Sequence, residues 1–168
     1  MKPLTAEQIA AYREQIPTTQ ENESMDKHTS FRVGGAARLY VVAPDADALI
    51  RAVQAATALN IPWYVFGGGS NLLVSDDGYE GVMIQMADRK IKIEGETITV
   101  DAGAITSLVA RQSVEAGLTG FEWAVGVPGT IGGALFGDAG CYGGEMRDVI
   151  VSVDAFRVRD GERVTLTK

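Results

Sequence analysis

Two glycine-rich stretches set the terms on which this chain can fold. The first, VFGGGSNLLVSDDG (65–78), places Gly67, Gly68 and Gly69 directly after an apolar run and before Ser70 and Asn71. The second, GVPGTIGGALFGDAGCYGGE (126–145), holds Gly126, Gly129, Gly132, Gly133, Gly137, Gly140, Gly143 and Gly144. Each glycine costs roughly 0.5–1 kcal/mol of chain entropy relative to alanine in regular structure, so this density needs a compensating reason. For the triplet two reasons stand. One is a tight turn. The other is a nest of backbone N–H groups open to a phosphate, with Ser70 and Asn71 as polar contacts. No lysine follows the glycines, which excludes a P-loop, and Leu72 stands where a dinucleotide fingerprint needs its third glycine. In the second stretch the interleaved Val127, Ile131, Leu135, Phe136 and Tyr142 argue against disorder. There the backbone is expected to wrap closely round a flat or phosphorylated ligand.

The flanking pattern places the triplet. Residues 5–15 read as a short helix with Ile9, Ala10 and Tyr12 on its apolar face, ended by Pro17. The polar run TTQENESMDK reads as a loop or arm. RLYVVA (38–43) reads as a strand, Asp45 as an N-cap, and Leu49, Ile50, Val53, Ala56 and Leu59 as the core face of a helix. Ile61 to Phe66 reads as the next strand. This strand–helix–strand unit implies parallel strands, and the glycine loop follows the carboxyl end of the second, where ligands commonly bind. Further strands are expected at Leu72–Ser75 and Gly81–Met86, and a hairpin at Ile91–Ile93 and Ile98–Val100 around Glu94–Glu96. Thr106–Ala116 reads as a helix capped by Thr106 and ended by Gly117. Val149–Val158 and Val164–Thr167 read as paired strands around Asp160-Gly161.

The fold class is therefore α+β, with two lobes. The expected division is a helix and arm over 1–27, a first lobe over 28–90 and a second over 91–168. Two glycine loops, one in each lobe, suggest a long ligand held between lobes, with a pyrophosphate and a planar ring system. FAD fits that description. At 168 residues, 46% hydrophobic, the chain can bury a real core, and its net charge of −7 speaks against nonspecific nucleic-acid or anionic-membrane partners. Cys141 is the only cysteine and His28 the only histidine, too few for a structural zinc site or an intrachain disulfide. The N-terminus has no apolar signal core and no run of residues is long enough to span a bilayer, so a cytoplasmic location is expected.

Three stretches, HTSFRVGGAA (28–37), FGGGSNLLVSDDG (66–78) and GVPGTIGGALFGDAGCYGGE (126–145), stand in the order and at the spacing of a known family. By them the chain resembles the UDP-N-acetylenolpyruvoylglucosamine reductase (MurB, UDP-N-acetylmuramate dehydrogenase) family, over nearly its whole length from Lys27. The resemblance implies a two-lobed FAD-binding domain of the PCMH or vanillyl-alcohol-oxidase type. It places Gly67, Gly68, Gly69, Ser70 and Asn71 against the FAD pyrophosphate. Val127, Pro128, Gly129, Thr130, Gly132 and Gly133, with Ala139 and Gly140, would line the remaining cofactor and the isoalloxazine ring. It implies NADPH as hydride donor and UDP-N-acetylglucosamine enolpyruvate as the substrate reduced on the way to peptidoglycan.

The family's catalytic Arg, its Ser or Cys proton donor, its late Glu and its substrate-binding domain find no counterpart in this chain. It therefore resembles the N-terminal FAD-binding part and is expected not to turn over alone. Asp138 replaces a usual Asn and Cys141 a frequent Ala. Other readings remain: a flavin-dependent sugar or alcohol oxidase of the same fold, or a flavin-binding module without turnover. Taken singly, His28 reads as loop structure, Arg32 and Arg147 as ion-pair partners, Cys141 as a small buried residue and Glu145 as a cap or loop-positioning residue. Tyr142 reads equally as ring cover or packing.

Overall fold

Capping and ladder chemistry organise the first residues of the structure, a computed structural model that describes residues 2–168. Thr5 caps helix α1 (Ala6–Gln15) in a reciprocal box: its hydroxyl accepts from Gln8 N at 3.2 Å, and the Gln8 side chain accepts from Thr5 N at 3.0 Å. The helix buries Ile9 and Tyr12, whose hydroxyl donates to Ala52 O at 3.3 Å, while Ala10 faces solvent. The polar segment expected to be an arm is instead strand β1 (Gln20–Ser24), followed by a 3-10 turn over Met25–His28. β1 pairs antiparallel with β2 (Ala36–Ala43). At a sheet edge an apolar face is not required, because backbone pairing on one side suffices.

The chain divides between Ala87 and Asp88 into two compact units, and residues 2–27 are built into the first. Its sheet runs β1-β2-β4-β3, with helix α2 (Ala46–Ala58) between β2 and β3 (Trp63–Phe66) in sequence. β2 and β3 are parallel as expected, but β4 (Tyr79–Met86) lies between them and pairs with both. Asp45 caps α2, accepting from Ala48 N at 2.7 Å. Val53 and Ala56 are buried, whereas Leu49, Ile50 and Leu59 are only half-buried. Met25, Ala37, Tyr40, Phe66, Val74 and Met83 form one core, which fixes the 3-10 turn and the segment after the glycine triplet to the sheet. That segment, Leu72–Ser75, is not a strand. It has no ladder neighbour and is tied by the bond from Gly35 N to Ser75 O at 2.8 Å.

The second unit opens with the hairpin β5 (Ile91–Glu94) and β6 (Thr97–Val100), whose Ile91, Ile98 and Val100 pack on a core of Ala104, Val109, Ile131, Ala134 and Met146. Helix α3 (Thr106–Glu115) begins at the residue its sequence suggested for the cap. Ile105 is the N-cap and bridges Thr130, so Thr106 lies inside the helix, fully buried. Gly117 ends the helix with φ 76°, donating to Val114 O. The second glycine stretch contains a short helix, α4 (Ile131–Phe136), then β7 (Gly140–Cys141) paired with β8 (Gly144–Glu145), and α5 (Met146–Val149) follows it. β9 (Ser152–Arg157) and β10 (Glu162–Thr167) pair antiparallel around the Asp160-Gly161 turn.

Candidate functional site

In the first unit β3 stops at Phe66, and Gly67–Asn71 follow at its carboxyl end. Gly69 alone of the triplet has a left-handed backbone, with φ 64°. A Cβ there would stand 2.0 Å from His28 O, and Ser30 N donates to Gly69 O at 3.1 Å. The glycine is thus explained by the chain itself: it lets the 28–30 segment lie on the loop. Gly68 differs. It is exposed and lines an open pocket of about 700 Å³ with Asp26, Lys27, His28, Ser30, Arg32 and Gln85, so three basic side chains face one carboxylate there. Among the described residues Gly68, Ser70 and Asn71 have no hydrogen-bond partner in the protein. A run of unspent backbone and side-chain donors beside lysine, arginine and histidine side chains is a cradle for an anion.

His28 is held on both sides. Its Nε2 lies 2.9 Å from Glu23 Oε1, its Nδ1 lies 3.3 Å from the Tyr40 hydroxyl, and its ring stacks on Tyr40 with centroids 4.5 Å apart. The structural role read for it from the sequence is present, and the same residue also walls the pocket. The His28 hydrogen bond, and then Lys27, hold the Glu23 carboxyl below its usual range. Burial, and then the Glu23 charge, push the Tyr40 hydroxyl up to about 12. Arg32 was read as an ion-pair partner; the structure sets it at the pocket wall, exposed, with φ 53°. Lys27, Tyr40 and Gln85 were missed. The signal available was the run of Lys27, His28 and Arg32, three basic side chains within six residues of an otherwise acidic chain.

The second unit treats its glycines differently. The amides of Ile131 and Gly132 donate to Ala104 O at 2.9 Å and Ala102 O at 2.8 Å. Gly133 N donates to the Thr130 hydroxyl that caps α4, and Gly129 O accepts from Thr106 N. Val127 N donates to Ala124 O, and Ala139 N to Ala134 O at 2.8 Å, which closes the end of α4. These amides are spent inside the unit, so residues 131–133 offer a flat or phosphorylated ligand no free main-chain donor. Gly132 is packed, since a Cβ would meet that of Ala102 at 2.9 Å, and at Gly144 it would meet the Trp123 indole at 2.3 Å.

Part of the glycine stretch in this unit stays open to solvent. Pro128, Gly133 and Gly140 are exposed, Val127 and Gly129 half-exposed, and Phe136 and Tyr142 are each 94% exposed. Tyr142 therefore does not pack within the chain. Cys141 is half-buried rather than buried. Asp138 accepts from Arg147 N at 3.0 Å and lies 3.4 Å from Arg147 Nε, and Arg147 also pairs with Glu145, so the arginine's ion-pair role is observed. Glu145 is the N-cap of α5. The fit to FAD is therefore divided by chemistry: the first unit offers donors for phosphate, the second exposed small and aromatic residues for an uncharged ring. Among the described residues no group of His, Cys, Asp and Glu side chains could hold a metal, and no helix is long and apolar enough to cross a membrane.

The family model of the FAD binding domain matches residues 37–167. The UDP-N-acetylenolpyruvoylglucosamine reductase of Caldanaerobacter subterraneus subsp. tengcongensis is 42% identical over 134 residues, which cover 79% of this chain and 44% of the relative. The crystal structure of UDP-N-acetylenolpyruvylglucosamine reductase (MurB) from Thermus caldophilus superposes with a TM-score of 0.73 at 31% identity, covering 88% of this chain and 52% of that one. An alkyldihydroxyacetonephosphate synthase superposes with a TM-score of 0.69 at 21% identity, over 100% of this chain and 36% of that one, a likeness of fold alone. The chain spans about half the length of the curated relatives it matches. The fold is the mixed α+β type of the PCMH and vanillyl-alcohol-oxidase proteins. The chain belongs to the FAD binding domain family, and the curated relatives it matches are UDP-N-acetylenolpyruvoylglucosamine reductases.

Proposed function

We propose that the chain binds FAD as the flavin-binding part of a UDP-N-acetylenolpyruvoylglucosamine reductase. Gly67, Gly68, Gly69, Ser70 and Asn71 hold the diphosphate, and Val127, Pro128, Gly129, Thr130, Gly132, Gly133, Ala139 and Gly140 flank the rest of the cofactor. The observation that carries this reading is the set of unspent donors on Gly68, Ser70 and Asn71, lining or adjoining a pocket with Lys27, His28 and Arg32. These basic groups supply local positive potential in a chain of net charge −7. In the second unit the glycines contribute absent side chains rather than amides.

What the flavin supplies when bound is hydride transfer, with NADPH as donor and UDP-N-acetylglucosamine enolpyruvate as acceptor. The chain's own residues bind and orient; none of those described is assigned a proton-transfer role. The reaction as a whole belongs to peptidoglycan synthesis in the cytoplasm.

Titration of flavin fluorescence tests the binding claim. The purified protein is expected to be yellow or to take up one FAD per chain. Gly68→Val is expected to weaken binding at least tenfold by blocking close approach, while circular dichroism stays unchanged, because the position is exposed. A folded protein that takes up no FAD, or a variant that binds as well as the parent, would refute it.

A further inference from the structure

A line of polar side chains runs from the edge strand to the glycine loop. Glu23 Oε1 meets His28 Nε2 at 2.9 Å, and His28 Nδ1 meets the Tyr40 hydroxyl at 3.3 Å. The Tyr40 hydroxyl donates to Gln85 Oε1 in a short bond, and Gln85 Nε2 donates to Gly67 O at 3.2 Å. The proton positions follow from the two ends. A backbone carbonyl only accepts, so the Gln85 amide must turn its NH₂ to Gly67 and its oxygen to Tyr40. That spends the single Tyr40 proton, so toward His28 the hydroxyl oxygen accepts. An ionised Glu23 also only accepts. Both imidazole nitrogens must therefore donate, and the line is complete only when His28 carries two ring protons.

Because the peptide unit is planar, pinning Gly67 O also fixes the direction of the Gly68 N–H. When His28 loses a proton, the neutral ring keeps its bond to Glu23 and presents Nδ1 as a lone pair. The Tyr40 proton can then turn to Nδ1, Gln85 Oε1 loses its donor, and the amide is left with Gly67 O as its one anchor in the line, so its hold on the Gly67–Gly68 peptide loosens. The released proton goes to solvent, since the histidine side chain is 19% exposed. The charged groups around the ring are Glu23 from β1, Asp26 and Lys27 from its own turn, and Arg32 from the segment that follows. β2 contributes Tyr40 and β4 the uncharged Gln85.

The geometry points to Gln85, Tyr40 and His28 as positioning residues that aim the Gly67–Gly68 peptide, so that the loop's grip on an anionic ligand follows the protonation of His28. The ligand in this inference rests on the flavin reading above; the loop's dependence on the relay does not.

Two readouts separate them. The backbone amide chemical shifts of Gly67–Gly69 are followed by NMR in the ligand-free protein, and FAD affinity is measured, both from about pH 5.5 to about 8.5. The parent is expected to lose affinity as pH rises, with the Gly68 amide shift moving in step. Tyr40→Phe keeps the ring stack but severs the relay, and should flatten both profiles. Gln85→Glu, nearly isosteric but unable to donate when ionised, should displace the Gly68 amide shift and lower FAD affinity roughly three- to tenfold at every pH. Both variants preserve volume, and a thermal melt checks that they fold. Equal pH profiles in parent and Tyr40→Phe, or an unmoved Gly68 amide in Gln85→Glu, would overturn the relay. If the parent binds no FAD, the flavin reading fails and the loop amide shifts alone decide the relay.

Discussion

At the scale of single residues, adjacent glycines do different work. Gly69 is required by its own chain: φ is 64° and the His28 carbonyl stands where a side chain would begin. Gly69→Ala is therefore expected to lower stability by at least about 1–2 kcal/mol, measured by urea unfolding. Gly68, one position earlier, is exposed and is expected to affect binding instead. Burial raises Tyr12 well above the usual tyrosine range, and Tyr40 is pushed up to about 12. A raised folded-state value means the folded protein holds these protons more tightly than the unfolded chain. The stabilisation is complete below about pH 10, where a free tyrosine titrates, and is lost as pH rises through the folded values. Thermal melts should show the midpoint falling above about pH 10, less steeply in Tyr12→Phe.

At the scale of elements, the short helix α4 turns on one cap. Thr130 is buried and its hydroxyl accepts from Gly133 N. Thr130→Ala is expected to cost about 1 kcal/mol in chemical unfolding, with Thr130→Ser restoring most of it. This helix also marks where the sequence was hard to read. Periodicity and local chemistry revealed α2 with its Asp45 cap, the β5–β6 hairpin and the Asp160-Gly161 turn, because each is specified by neighbours in sequence. Local signals did not reveal β1, whose residues QENES lack an apolar alternation; its pairing with β2 supplies what its composition does not. The insertion of β4 between β2 and β3 is a non-local choice that no window of residues encodes. In α4, Gly132 and Gly133 carry poor helix propensity, and packing on Ala102 overrides it. At the site, the glycine loop was legible as a special backbone, whereas Gln85, within the apolar run of residues 81–86, gave no sign that it would hold Gly67.

At the scale of the molecule, two units with separate cores each carry one glycine-rich stretch, and the two stretches differ in what they leave unspent. The first presents donors beside basic side chains; the second consumes its donors and presents a bare surface with exposed Phe136 and Tyr142. The diphosphate of the proposed FAD calls for the first kind of surface. The most direct test is a crystal structure of the protein with FAD. The account predicts the diphosphate within hydrogen-bond distance of the amides of Gly68 to Asn71; phosphates bound elsewhere, with those amides facing only water, would contradict it.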